Sequence, residues 1–391
     1  EQMKYNFDEV IPRRGTNSIK WDTDCCADML PMWIADMDFR LAPKIKEAVS
    51  RRLEQGVFGY AHIPDAFYDA IIHWFDRRHQ VRIEREWILY TIGVVPALAA
   101  VVTSLTQPGD GVLIQPPVYN HFFSCIEGNN RRLVTNPLHY ENGRYSIDWK
   151  DLEKKAADPT VKLMIICNPH NPAGRVWTRE ELLRMGEICL RHHVYIISDE
   201  IHCELVAPGF TYTPFASLSE ELRMNSVICA SPSKAFNLAG FQVANIFAPN
   251  PELRDKVNGV LQVMDIESLN CFAVEALIAA YNESEDWLDE LNVYIHENYL
   301  FMKNFVETNM PDLYLVPLEG TYLAWLDCRV LNKTSEEMND YLKSKYCLWL
   351  NAGTMYGTEG DGFLRWNLAC PRVTLEEGLN RFLKYYQEFK K

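Results

Sequence analysis

Four short apolar runs in the middle of this chain constrain its fold more than any other feature. They are GVLIQPP (111–117), VKLMIICNP (161–169), VYIISDE (194–200) and SVICASPS (226–233), and each closes on polar or turn residues. A continuous apolar run suits a strand buried on both faces. Between the second and third runs lies TREELLRMGEICLRHH, opened by the capping-box pattern Thr178-x-x-Glu181. Strands alternating with helices predict an α/β fold with a mostly parallel sheet covered on both faces. Ligands of such sheets bind at the carboxyl ends of the strands, so unusual residues are to be sought there.

A chain of 391 residues exceeds one compact core and is expected to divide. From Ala42 the pattern is helical, with Ile45, Val49 and Leu53 recurring every fourth residue and Gly56 near the end. A second helix follows Pro64, with Phe67, Ala70, Ile71, Trp74 and Phe75 on one face. The last hundred residues hold a long helical stretch, then TYLAWLD, CLWLNAG and FLRWNLA with turn signals between them. That reads as a smaller α+β domain. The first forty residues lack sustained periodicity and read as an ordered arm. The expected division is an arm at 1–40 contributing to the small domain, a large domain at 41–280 and the small domain at 281–391.

Charge and composition exclude several classes. The net charge is −14 and the pI near 5.2, which gives no basic face for nucleic acid or an anionic membrane. The longest apolar run, Val94–Val102, is nine residues, against roughly 20 for a bilayer span. The opening EQMKYNFDEVIPRR is charged and does not read as a signal peptide. Eleven scattered cysteines are read as reduced thiols of a cytoplasmic protein, and the adjacent Cys25 and Cys26 as buried or bystander thiols in preference to a redox-active pair. Cys167/His170 and Cys189/His192 imitate metal spacing, but no second pair completes a site, so no metal is expected. The glycine-rich GTEGDG (357–362) follows no clean strand and reads as a loop, and the usual nucleotide-cradle motifs are missing.

The strand ends carry the chemistry. Lys234 follows a buried run, where burial should depress its pKa and leave a nucleophilic, imine-forming amine. Asp199, also at the end of an apolar run, needs a cationic or N–H partner to stay ionised, and a protonated pyridine nitrogen would serve. The Gly93-Val94-Val95 turn opens an apolar helix and offers backbone N–H groups to a phosphate. Ser231 and Ser233 add hydroxyls. Lysine, aspartate and a phosphate nest on neighbouring strand ends point to pyridoxal 5′-phosphate.

With NPHNPAG, SDE and SPSKAFNLAG, the sequence resembles the fold-type I pyridoxal-phosphate enzymes of the class I/II aminotransferase group. PMWIADMDF, GVVPAL, NPHNPAGRVW and SDEIH resemble more narrowly its cystathionine β-lyase and cystalysin branch, the MalY/PatB-type C–S lyases. The resemblance runs from about Tyr5 to the C-terminus. It implies an aspartate aminotransferase-like fold: a large cofactor-binding domain with a seven-stranded, mostly parallel sheet, and a smaller α+β domain. Lys234 would carry the cofactor as a Schiff base and then move the proton. Asp199 would pair with the pyridine N–H, Asn171 with the phenolic O3′, and Tyr119 would stack on the ring. Val94, Val95, Ser231 and Ser233 would hold the phosphate. Tyr60 would reach it from the partner subunit, which implies a homodimer with a shared active site. Arg365 would clamp the substrate α-carboxylate, with Asn171, Tyr60 and Trp33 beside the substrate.

Two departures from the wider aminotransferase pattern favour the lyase branch. Gln242 stands where an arginine is usual, and His202, a cofactor neighbour, where a tyrosine is usual. Asn120 stands where some relatives carry a second tyrosine, so no acid/base role is expected there. The expected activity is β-elimination from L-cystathionine, L-cysteine or cysteine S-conjugates, giving a thiol or sulfide, pyruvate and ammonia. The alternative is an aminotransferase on the same scaffold; a third reading is a regulatory partner-binding protein that retains the fold.

Overall fold

The computed structural model describes residues 2–24 and 26–390, so Cys25 lies outside the described residues. Its central sheet comprises β1 (Ile88–Thr91), β2 (Gly111–Ile114), β3 (Arg132–Thr135), β4 (Val161–Cys167), β5 (Tyr195–Asp199), β6 (Ser226–Ala230) and β7 (Ala244–Phe247). Their spatial order is β1-β7-β6-β5-β4-β2-β3. Strand β7 runs antiparallel to both neighbours, and every other pairing is parallel. The four apolar runs are β2, β4, β5 and β6, each ending a little before its polar close. Two of the remaining three carry a weaker signal for physical reasons. Strand β3 is a partly exposed edge, and β7 is four residues beginning Ala-Asn.

Helices cover this sheet, and their sequence signals have local causes. Pro43–Gln55 buries Ile45 and Ala48 and stops at Gly56, whose φ of +80° suits a residue without a Cβ. Leu53, counted on the periodic face, is exposed instead, because the helix is at its last turn there. Asp65–His79 buries Phe67, Ala70, Ile71, Trp74 and Phe75. Arg179–Arg191 begins with both halves of the Thr178/Glu181 capping box. Among the described residues no helix is long and apolar enough to cross a membrane.

A second sheet comes from the last part of the chain: β8 (Tyr314–Leu315), β9 (Leu323–Asp327), β10 (Asn351–Ala352) and β11 (Phe363–Asn367). It is antiparallel throughout, in the order β8-β9-β11-β10. The N-terminal segment Leu30–Pro31 pairs in parallel with Leu348–Trp349. Leu30 and Met32 join the apolar cluster of Leu348, Trp366 and Phe382. GTEGDG forms the tight turn before β11. A Cβ on Gly360 would lie 2.0 Å from the Gly353 carbonyl oxygen, so no side chain fits there.

Candidate active site

The carboxyl ends of the parallel strands converge on one cavity of about 200 Å³. Asp199 ends β5, Lys234 follows β6, Asn171 follows β4, and Tyr119 follows β2. Gly93 leads from β1 into the helix Val94–Leu105. All five line the cavity together with Val94, Val95, His202, Ser233 and Gln242. The first-turn amides of an eight-residue or longer helix have no partner within it, so Val94 and Val95 present free donors to an anion.

Lys234 donates from its amine to the Ala35 carbonyl at 2.8 Å. Burial and the positive Arg365 push that amine down to about 8, against the pull of Asp36 and Asp199. The same Ala35 oxygen accepts from the Tyr322 hydroxyl at 2.9 Å. Asp199 is buried, and its carboxylate accepts from the Ile201 N–H at 3.2 Å. Burial raises it to about 7, which the Ile201 N–H and Lys234 only partly oppose.

Arg365 lies on β11, opposite Trp325 of β9 and Asn351 of β10. Its Nη1 donates to Asn171 Oδ1 at 3.2 Å and its Nη2 to the Trp33 carbonyl at 2.7 Å. Its Nε is buried without a partner, and the guanidinium lies 5.1 Å from the Tyr356 ring centre. Trp33 stacks on Trp349 with centroids 4.2 Å apart and planes 7° from parallel. His202 is buried with Nδ1 unpartnered. Burial, with Lys234 and Arg365 nearby, holds it down to about 3, so its ring is neutral at pH 7. Tyr119 is half-buried, and burial with the Asp199 charge raises its phenol.

Not every expected residue reaches the cavity. The Ser231 hydroxyl donates to the Val243 carbonyl at 2.6 Å and accepts from the Ser233 N–H at 3.0 Å, and Ser231 is not among the cavity walls. Tyr60 is fully exposed and lies outside the cavity. Asn120 starts the helix Asn120–Glu127. Sequence reasoning missed Tyr322 and Tyr356, whose only signals are tyrosines inside TYLAWLD and AGTMYG. It also missed the Ala35 and Trp33 carbonyls, since backbone atoms carry no residue-type signal.

The metal-like spacings behave differently. His170 Nε2 lies 2.8 Å from the Pro117 carbonyl, and His192 Nε2 lies 2.7 Å from Glu153. Among the described residues one cluster, His79, Cys203 and Glu204, is close enough to share an ion. Its Glu204 already receives Trp74 Nε1 at 2.8 Å, His79 Nε2 at 2.7 Å and Arg78 Nε at 3.2 Å. Those partners make it a saturated core carboxylate with a fixed cation beside it.

The aminotransferase class I and II family model matches residues 27–382. The chain belongs to this family. It is 44% identical over 380 residues to cystathionine beta-lyase PatB of Bacillus subtilis, covering 96% of this chain and 98% of that one. It is 35% identical over 381 residues to protein MalY of Escherichia coli, covering 96% and 97%. The crystal structure of cystalysin from Treponema denticola, which contains a pyridoxal 5′-phosphate cofactor, superposes with a TM-score of 0.96. That likeness covers 99% of this chain and all of the other, at 34% identity. Family membership thus agrees with the fold and with the branch that the motifs suggested.

Proposed function

We propose that this chain is a pyridoxal-phosphate-dependent C–S β-lyase. Its substrates would be amino acids with a sulfur leaving group at Cβ: L-cystathionine, L-cysteine and cysteine S-conjugates. The products would be a thiol or sulfide, pyruvate and ammonia. One observation carries the reading: a depressed lysine amine and a buried carboxylate lacking a cation meet in one cavity, and the Arg365 guanidinium is bonded to its wall residue Asn171. The residues fit the cofactor. Asp199 is short of a positive N–H partner, the Val94 and Val95 amides suit a phosphate, and the Lys234 amine suits a carbonyl carbon.

When bound, the cofactor supplies an electron sink for the carbanion at Cα of the amino acid. The protein's residues do the rest. Arg365 exchanges its contacts with Asn171 and the Trp33 carbonyl for the substrate carboxylate. Lys234, with an amine near neutrality, removes the Cα proton and can return a proton to the departing sulfur. Ala35 and Tyr322 hold that amine in place. Asp199 keeps a proton at the pyridine nitrogen, since a carboxylate buried with no other cation favours such an ion pair. Asn171 would hold the phenolic oxygen, Tyr119 would cover the ring, and Ser233 would join the Val94 and Val95 amides on the phosphate, while Ser231 positions the Ser233 backbone. His202, neutral beside Lys234, withholds a competing positive charge.

The same reading makes the molecule a homodimer, with Tyr60 completing the neighbouring site. Tyr60 is fully exposed beside Val57 and Phe58, which are 66% and 50% exposed, as befits a segment awaiting a partner. It also divides the chain into an arm at 1–40 joined to a small domain at 281–391, against a large domain at 41–280. The pairing of Leu30–Pro31 with Leu348–Trp349 supports that grouping.

The test is direct. The purified protein is loaded with cofactor, its absorbance recorded between about 330 and 430 nm, and a substrate panel supplied without keto acid. Pyruvate from L-cystathionine or L-cysteine, lost in Lys234→Ala together with the absorbance band, is the expected result. Turnover only on addition of a keto acid would make the protein an aminotransferase. Failure to bind the cofactor would overturn the reading.

A further inference from the structure

Cys26 and Cys347 are 321 positions apart in the chain, yet their sulfurs lie 4.0 Å apart. Both are half-buried, as is Cys271, whereas Cys125, Cys167, Cys189, Cys203, Cys229, Cys328 and Cys370 are buried. Access favours oxidation of these three, and the neighbouring sulfur at 4.0 Å distinguishes Cys26 and Cys347, even though burial and the Cys26 thiol raise the Cys347 thiol. The backbone already holds the two segments together. The Leu30 N–H donates to the Cys347 carbonyl at 2.8 Å, and the Met32 N–H to the Trp349 carbonyl at 2.8 Å. Arg381 Nη1 donates to both the Asp28 and the Cys347 carbonyls, at 2.8 Å and 2.7 Å. A bond between the sulfurs needs an approach of about 2 Å, within reach of side-chain rotation when the backbones are so tied.

We infer that Cys26 and Cys347 form a redox-reactive dithiol that hydrogen peroxide converts to an intramolecular disulfide. One thiolate attacks a peroxide oxygen, the O–O bond breaks, and a sulfenic acid and water form. The second thiol then displaces water from the sulfenic sulfur and the S–S bond closes. Two electrons and two protons pass from the thiols to the peroxide, which leaves as two waters, and an external dithiol reverses the change.

The position gives this bond a consequence. Four residues beyond Cys26 the arm enters its pairing with Leu348–Trp349, and then supplies Trp33. Trp33 stacks on Trp349 and lends its carbonyl to Arg365. A disulfide would therefore fasten the arm immediately before the segment that borders Arg365, and suppress its local opening.

The cofactor-loaded full chain is treated with stoichiometric hydrogen peroxide and analysed by intact mass, non-reduced peptide mapping and amide hydrogen exchange. The expected results are a loss of about 2 Da, a Cys26–Cys347 linked peptide, and reversal by dithiothreitol. Exchange at the Leu30 and Met32 amides should slow by on the order of tenfold or more. Cys25→Ser should retain the link, while Cys26→Ser and Cys347→Ser should each abolish the link and the added protection. Linkage through Cys25, linkage between chains, over-oxidation without a disulfide, or a link that leaves exchange unchanged would each overturn the inference.

Discussion

Two groups of buried charge differ in how completely they are paired. In one, Asp38 receives Lys20 Nζ at 2.7 Å, Arg13 Nη1 at 2.8 Å and Trp21 Nε1 at 2.8 Å. Burial pushes the Asp38 carboxyl up, but Lys20, Arg13 and Trp21 outweigh it and hold it below the usual range. In the other, Asp199 has the Ile201 N–H, and burial lifts it to about 7. Lys234 there leans on a backbone carbonyl. Burial is common to both groups; what separates scaffold from site is the missing partner. A charge buried and paired is a fastening, while a charge buried and underpaired is held ready for a ligand.

The strongest way to break this contrast is Lys234→Ala, which should lower lyase turnover by about 10⁴-fold or more and leave the fold intact. Steady-state kinetics beside a circular-dichroism spectrum would check both halves. Asp38→Ala should do the reverse, destabilising by about 3 kcal/mol because buried Lys20 is left with Asp36 alone, 3.8 Å away. A urea titration of the loaded enzyme measures that loss. Arg365→Lys keeps the charge but loses the fork, and should cost about 100-fold in kcat/KM, mostly through KM. An equal fall in kcat would assign Arg365 to the transition state instead.

The smallest expected effect is on the pH dependence of the cofactor-free protein. Asp199 has a folded pKa of about 7, above its ordinary value near 4. The stability it contributes is therefore complete below about pH 4 and lost as pH rises through about 7. Glu200, which burial also raises to about 7, shares that direction. Thermal melts between pH 5 and 8 should fall with pH, and Asp199→Asn should remove part of the fall. A variant curve parallel to the native one would show that Asp199 is better paired than its contacts indicate.

How far the sequence carries depends on which atoms act. Lys234, Asp199 and Asn171 were legible because each ends or follows an apolar run, and burial gives a polar strand end a single physical consequence. Strand β3 was harder to see, since a partly exposed edge strand spells no continuous run. Leu53 fell on the right helical period but beyond the covered part of its helix. The Ala35 and Trp33 carbonyls, which hold Lys234 and Arg365, have no residue-type signature at all. Tyr322 and Tyr356 reach the site only through the folding of the second sheet and the turn beside it, a pairing that no local pattern contains.

The most direct test of the central claim is a product balance on the loaded enzyme with L-cystathionine as sole amino acid and no keto acid. Pyruvate and free thiol should appear in equal amounts over many turnovers. A single turnover that stops until a keto acid is added, with no thiol released, would contradict the account.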